Sequence, residues 1–192
     1  MLLVFGRLIL STVPQDYMSN KGKSIMYKFL GVALIVLNAC QSTNLEQKVI
    51  PVFDKYLDIY NQKNTSKFGS DNYIKKEETL MNYRFGEYTK ALTIFANSYC
   101  AKPNKKALDK FIEVLIATKN SVYEPRTNIL GKVYACHPQP IIDAINNLNK
   151  REKVDIIHDL DSGLQNEIYE QSGKIKNYKQ LYNQLTNLKL SL

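Results

Sequence analysis

The feature that most constrains this chain is a stripe of large apolar side chains, Met81, Phe85, Tyr88, Leu92, Phe95 and Tyr99, stepping alternately by four and three residues. That spacing places all six on one face of an α-helix, whereas a strand would need them two apart. A helix with one apolar face must bury it against other elements. The stripe therefore predicts a packed helical domain, at a cost of about 1 kcal/mol for Gly86 in its interior.

The same period recurs through the rest of the chain. Leu45, Val49, Val52, Phe53, Tyr56, Leu57 and Tyr60 form one amphipathic helix, which Pro51 either kinks or opens from its first turn. Asn61 to Asn72, rich in Asn, Ser, Lys and Gly, reads as a loop. Lys102-Pro103-Asn104 is a stop and restart, with Asn104 the N-cap of a helix that turns Leu108, Phe111, Ile112, Leu115 and Ile116 inward. Asn120 to Glu124 is the next break, and Pro125 opens a shorter helix through Ile129, Leu130, Val133 and Tyr134 to Cys136. His137-Pro138-Gln139-Pro140 ends it and leaves Pro140 at a first helical position before Ile141, Ile142, Ala144, Ile145 and Leu148. Val154, Ile156, Ile157 and Leu160 make a further short helix, Leu164, Ile168 and Tyr169 another turn or two, and Tyr178, Leu181, Tyr182, Leu185 and Leu188 a last one. Only Leu80 to Phe85 carries any strand-like alternation. The expected fold class is all-α, an irregular bundle of six to eight short helices. Short paired helices are also what a solenoid shows, but no repeat period recurs.

Ahead of this domain stands Met26-Tyr27-Lys28-Phe29-Leu30-Gly31-Val32-Ala33-Leu34-Ile35-Val36-Leu37-Asn38-Ala39-Cys40. A positive flank (Lys21, Lys23, Lys28), an apolar run from Phe29 to Leu37 and a small residue before a cleavage point have the order of a secretory signal. The run falls short of the roughly 20 apolar residues that span a bilayer. Its end, Leu37-Asn38-Ala39-Cys40, resembles the lipobox of bacterial lipoproteins. The resemblance implies a diacylglyceryl group on the Cys40 thiol, cleavage before Cys40 and acylation of the new amino group. Two or three acyl chains would then hold the protein on a membrane, since one chain alone binds only marginally. Gln41 stands where an Asp would signal inner-membrane retention, so the resemblance implies the outer membrane, with the domain on its periplasmic face. An ordinary signal peptide, or a buried apolar element, is the competing reading.

The expected organisation is therefore residues 1–25 as an over-extended N-terminus, 26–39 as signal, 40–44 as lipidated tether and 45–192 as one domain. Met18 and Met26 are better-proportioned starts; a genuine N-terminal amphipathic segment is the alternative. Of the 26 Lys and Arg and 18 Asp and Glu, four bases (Arg7, Lys21, Lys23, Lys28) and one acid (Asp16) precede Cys40, leaving 22 against 17, a mild +5. An exported chain meets no chromosome, so this balance points to anionic headgroups, polysaccharide or an acidic protein, and not to nucleic acid. With Cys40 assigned to the anchor, Cys100 and Cys136 remain, and an oxidising compartment predicts one disulfide between them; two buried free thiols are the alternative.

Catalytic signals are sparse. His137 reads as a polar turn residue. Asp155, His158 and Asp161 lie at helical spacing, which could hold a divalent cation, but metal sites need three or four convergent ligands, so no metal and no cofactor is expected. Glu77 with Glu78 and Asp159 with Asp161 are the carboxylate pairs that a glycan hydrolase would need, yet such pairs occur on most soluble helices. Tyr83, Tyr88, Tyr99, Tyr123, Tyr134, Tyr169, Tyr178 and Tyr182 could wall an aromatic groove or sit at core edges. Lys105-Lys106, Lys150-Arg151 with Lys153, and Lys174, Lys176 and Lys179 read as solvated faces, one of which could meet anionic lipid. The resulting expectation is a non-enzymatic, lipid-anchored binding or adaptor module for another envelope protein, an immunity protein against a periplasmic toxin being one variant. The alternative is a peptidoglycan-acting envelope enzyme.

Overall fold

A computed structural model describes residues 45–119, 124–170 and 177–192, and these form an all-α irregular bundle of seven helices. The first, α1, spans residues 45–64. The second, α2, is continuous from an α-helical part, Asp71–Tyr83, through a π-helical turn, Arg84–Tyr88, into a second α-helical part, Thr89–Ala101. Then follow α3 (Lys105–Ala117), α4 (Glu124–Cys136), α5 (Pro138–Asn146), α6 (Lys150–Glu170) and α7 (Tyr178–Leu190).

The caps show why the helices start where they do. Ser70 Oγ accepts from the Tyr73 N–H at 3.2 Å and opens α2, after a turn in which Gly69 takes φ +78°. Asn104 Oδ1 accepts from the Ala107 N–H at 2.9 Å and opens α3, as expected. At α6, Asn149 Oδ1 accepts from the Glu152 N–H at 3.0 Å while Glu152 Oε2 accepts from the Asn149 N–H at 3.2 Å, a reciprocal capping box. Helix α5 begins two residues earlier than its Pro140 suggested: Pro138 is its first residue, and Pro140 shares the first turn, where a missing N–H costs nothing. Pro51 lies inside α1 on its exposed face, and the loop expected over 61–72 contracts to 65–70.

Two other boundaries differ from the sequence pattern. The segments around Val154 and Leu164 are one helix of 21 residues, because Gly163 does not break it. Val154 and Tyr169 consequently face solvent, Tyr169 at 87% exposure. In α2 the π turn shifts the helix face, so Leu80 and Tyr83 are buried before it, Arg84 and Tyr88 within it, and Leu92, Phe95 and Tyr99 after it. Phe85, counted in the stripe, is thrown outward at 65% exposure. A π insertion changes the angular phase of everything downstream.

The core has two neighbourhoods. Phe53 of α1 meets Tyr88 and Phe95 of α2 edge-on, at ring separations of 5.7 and 6.0 Å, and Phe95 lies 4.9 Å from Phe111 of α3. Tyr56 stacks on Tyr88 at 3.9 Å and accepts from Nε of the buried Arg84 at 3.2 Å. In the other half, Leu130, Val133 and Tyr134 of α4 pack with Ile156, Leu160 and Leu164 of α6 and Leu181 and Leu185 of α7. There α4 and α6 meet backbone to backbone. A Cβ on Gly131 would collide with the carbonyl of Gly163 and come within 2.6 Å of the Leu164 nitrogen, and one on Gly163 would collide with the Thr127 carbonyl.

The ends of the helices are tied across the bundle. The guanidinium of Arg126 on α4, buried, donates to the carbonyl and hydroxyl oxygens of Thr118, each at 2.6 Å, and to the Lys119 carbonyl at 3.3 Å, satisfying the C-terminus of α3. The Cys100–Cys136 disulfide joins the last turns of α2 and α4 with a Cα separation of 5.3 Å.

Gly163→Ala is expected to destabilise the fold by roughly 3 kcal/mol or more in urea titration, because backbone and not a movable side chain blocks the methyl. Gly86→Ala, with nothing within 4 Å of its Cβ position, is expected to stabilise by about 0.4–1 kcal/mol. Replacing Cys100 and Cys136 together by Ser should lower stability by roughly 3–4 kcal/mol, read in the same titration under non-reducing conditions.

Candidate binding groove

The residues singled out by sequence do not gather in one place. Cys40 and Tyr123 lie outside the described residues, as do Lys174 and Lys176. His137 sits in the turn before α5, its Nε2 3.0 Å from the Cys100 carbonyl oxygen and its ring edge-on to Tyr99 at 5.9 Å. It braces the disulfide end of the bundle. Asp155 pairs with Lys119 at 2.7 Å and Asp161 with Lys189 at 3.0 Å, while His158 is exposed. Among the described residues no group of three or more His, Cys, Asp or Glu is placed to hold a metal ion. Glu77 pairs with Lys63 at 2.7 Å, and burial pushes the Asp159 carboxyl up despite the opposing pull of Arg126 and His158. Tyr83, Tyr88, Tyr99 and Tyr134 are core residues; Tyr169 and Tyr178 are exposed on separate helices. No aromatic groove forms from them.

The surface does carry a groove, between α3 and α5 and running to the start of α6. Its wider part, about 400 Å³, has a floor of Ile112, Ile116, Ala117 and Leu148 with Glu113 and Glu152 on its rim. Its narrower part, about 290 Å³, lies between Pro103, Leu108, Pro140 and Ala144, with Tyr99, Asp109 and Asp143 lining it. Lys105 and Asn147 border both. Volumes of this size are those of small-ligand or side-chain pockets.

The wall geometry follows from the caps already described. Asn104 starts α3 and also donates from Nδ2 to Glu46 Oε1 at 3.1 Å, with Lys106 3.5 Å from the other oxygen, so the first turn of α1 is fixed beside the groove's narrow end. Short α5 is held at its start by the His137 turn and the disulfide, and is followed at once by the capped α6.

Electrostatically the groove is acidic, in a chain whose overall balance is +8. Asp109 is paired with Lys105 at 2.7 Å and Glu113 with Lys110 at 2.6 Å. Asp143 accepts from the neutral Gln139 amide at 2.7 Å, and Glu152 from the Asn149 N–H, so these two keep their charge uncompensated by the partners they hold. Tyr99 adds a buried hydroxyl that hydrogen-bonds no group among the described residues. Burial, with the nearby Asp109 charge, pushes that phenol up to about 12, so at neutral pH it carries its proton. Each groove carboxylate is held by a partner on its own or a neighbouring turn.

Sequence reasoning placed Asp109, Asp143 and Glu152 nowhere in particular. A groove between non-adjacent helices depends on tertiary placement, and only the apolar Ile116 and Leu148 at the edges of their stripes hinted at it.

No known family model matches the chain, and no curated protein or solved structure does either. Among the described residues, no helix is long and apolar enough to cross a membrane.

Burial also raises Tyr83 and Tyr134 to about 12, the former with help from Glu87. An unfolded chain ionises its phenols near 10. Between roughly pH 10 and 12 the unfolded form therefore binds fewer protons than the folded form, and stability falls as pH rises through that window. Alkaline titration should show these phenolates appearing together with loss of the helical circular dichroism; ionisation with the helical signal intact would contradict the burial.

Proposed function

We propose that the protein is a lipid-anchored, non-enzymatic binding or adaptor module of the bacterial cell envelope, held by Cys40 on the periplasmic face of the outer membrane. The observation that carries this reading is the run from Lys28 to Cys40, with its positive flank, short apolar core and Leu-Asn-Ala-Cys ending, set directly before a compact helical domain. Only five peptide steps separate Cys40 from Leu45, the first described residue of α1, and an extended chain of that length spans at most roughly 18 Å. A lipidated Cys40 would tether the domain to the membrane through this short linker.

Two features support this reading. A disulfide closing a loop between positions 36 apart suits an oxidising compartment. The groove offers an apolar floor with a charged rim, the pattern of a recognition surface.

The test is membrane association. Wild-type protein should stay with the membrane fraction through an alkaline carbonate wash and incorporate a fatty-acid label, and Cys40→Ala should lose the label. Cys40→Ala protein that still takes up the label would contradict the assignment.

A further inference from the structure

The groove between α3 and α5 combines three properties that together define what it can hold. Its wide part has an aliphatic floor, Ile112, Ile116 and Leu148, in a space of about 400 Å³. Its narrow part carries Asp143, whose carboxylate accepts from the neutral Gln139 amide, and the Lys105-paired Asp109. Tyr99, fully buried as a residue, borders that same narrow part, and its buried hydroxyl hydrogen-bonds no group among the described residues. A buried hydroxyl without a partner costs roughly 1–3 kcal/mol, a cost that a ligand atom reaching it would remove.

From these we propose that the groove is the docking site for a cationic amphipathic segment of a partner protein. A Lys or Arg of that segment enters the narrow part, its head hydrogen-bonded to Asp143 and to the Tyr99 hydroxyl oxygen, and a neighbouring apolar side chain covers Ile112, Ile116 and Leu148. Charge complementarity selects this occupant. The unpaired charges on the walls are acidic, Asp143 and Glu152, so an acidic segment is electrostatically disfavoured here and a cationic one is drawn in. The rigid prolines Pro103 and Pro140 at the mouth lower the ordering cost of receiving a side chain. The ammonium or guanidinium supplies donors, and both the Asp143 carboxylate and a protonated phenol can accept them.

The inference rests on the binding-module reading and deepens it by naming the partner's chemistry. A random dodecapeptide library panned against the full-length chain in non-ionic detergent tests it independently of lipidation. Selected peptides should be enriched in Lys or Arg beside Leu, Ile or Phe, and their affinity should weaken by about tenfold in Asp143→Asn and again in Tyr99→Phe. Tyr99→Phe should meanwhile leave the melting temperature unchanged or raised, since its hydroxyl hydrogen-bonds no group among the described residues, a separation that a merely structural role would not give. Peptides that lack basic residues, or that bind both variants as tightly as wild type, overturn the groove assignment while the binding-module reading stands. Failure to select any peptide likewise overturns the groove assignment, while the fatty-acid label at Cys40 judges the proposed function separately. Self-association that Asp143→Asn abolishes would make the occupant a second copy and overturn the proposal as well.

Discussion

The bundle depends on the backbone contact between α4 and α6. Thr127 and Gly131 lie one turn apart on α4 and face Gly163 in the middle of α6, with no side chain between the helices at that point. Only glycine at both positions permits this approach, and the closeness lets Leu130, Tyr134, Leu160 and Leu164 interdigitate around it. From α4 the constraint spreads in both directions. Arg126 reaches back to close the C-terminus of α3, and Cys136 reaches forward to fasten α2, so three other elements are positioned by one helix. With α3 and α5 both referenced to α4, the groove between them has fixed walls.

A tyrosine-rich, tryptophan-free core gives the domain an unusual polar economy. Most of its buried phenols are answered: Tyr83 donates to the Val52 carbonyl at 3.2 Å, Tyr134 to the Leu181 carbonyl at 3.1 Å, and Tyr56 accepts from Arg84. Each such bond ties one helix to another at a defined register, which apolar contacts alone specify less sharply. The Tyr99 hydroxyl has no hydrogen-bond partner among the described residues, and Tyr99 borders the groove. Buried polar groups are normally satisfied, so an exception beside an open cavity points outward to a ligand.

Much of the fold was legible from apolar period and capping chemistry. The all-α class, the Asn104 cap and the stop at His137-Pro138 followed from local pattern, and the pairing of Cys100 with Cys136 from the cysteine count with Cys40 set aside. The misreadings have specific causes. Phe85 sat in phase with the stripe only for an uninterrupted α-helix, and the π turn at Arg84–Tyr88 moved it to solvent. The segments Val154 to Leu160 and Leu164 to Tyr169 read as separate short helices, whereas Gly163 between them is where α4 packs closest. Pro140 was credited with a role that Pro138 performs, since either ring tolerates a first turn. Of the groove almost nothing could be read: Asp109, Asp143 and Glu152 look like ordinary solvated acids until the tertiary fold sets them along one cleft.

The address rests on Cys40, and the mass of the protein reports it most directly. Intact mass spectrometry of the protein taken from the membrane fraction is predicted to give a chain that begins at Cys40 and carries the added mass of two or three acyl groups. An unmodified chain that retains residues 1–39 would contradict the anchor, and with it the envelope setting in which the disulfide and the acidic groove have been interpreted.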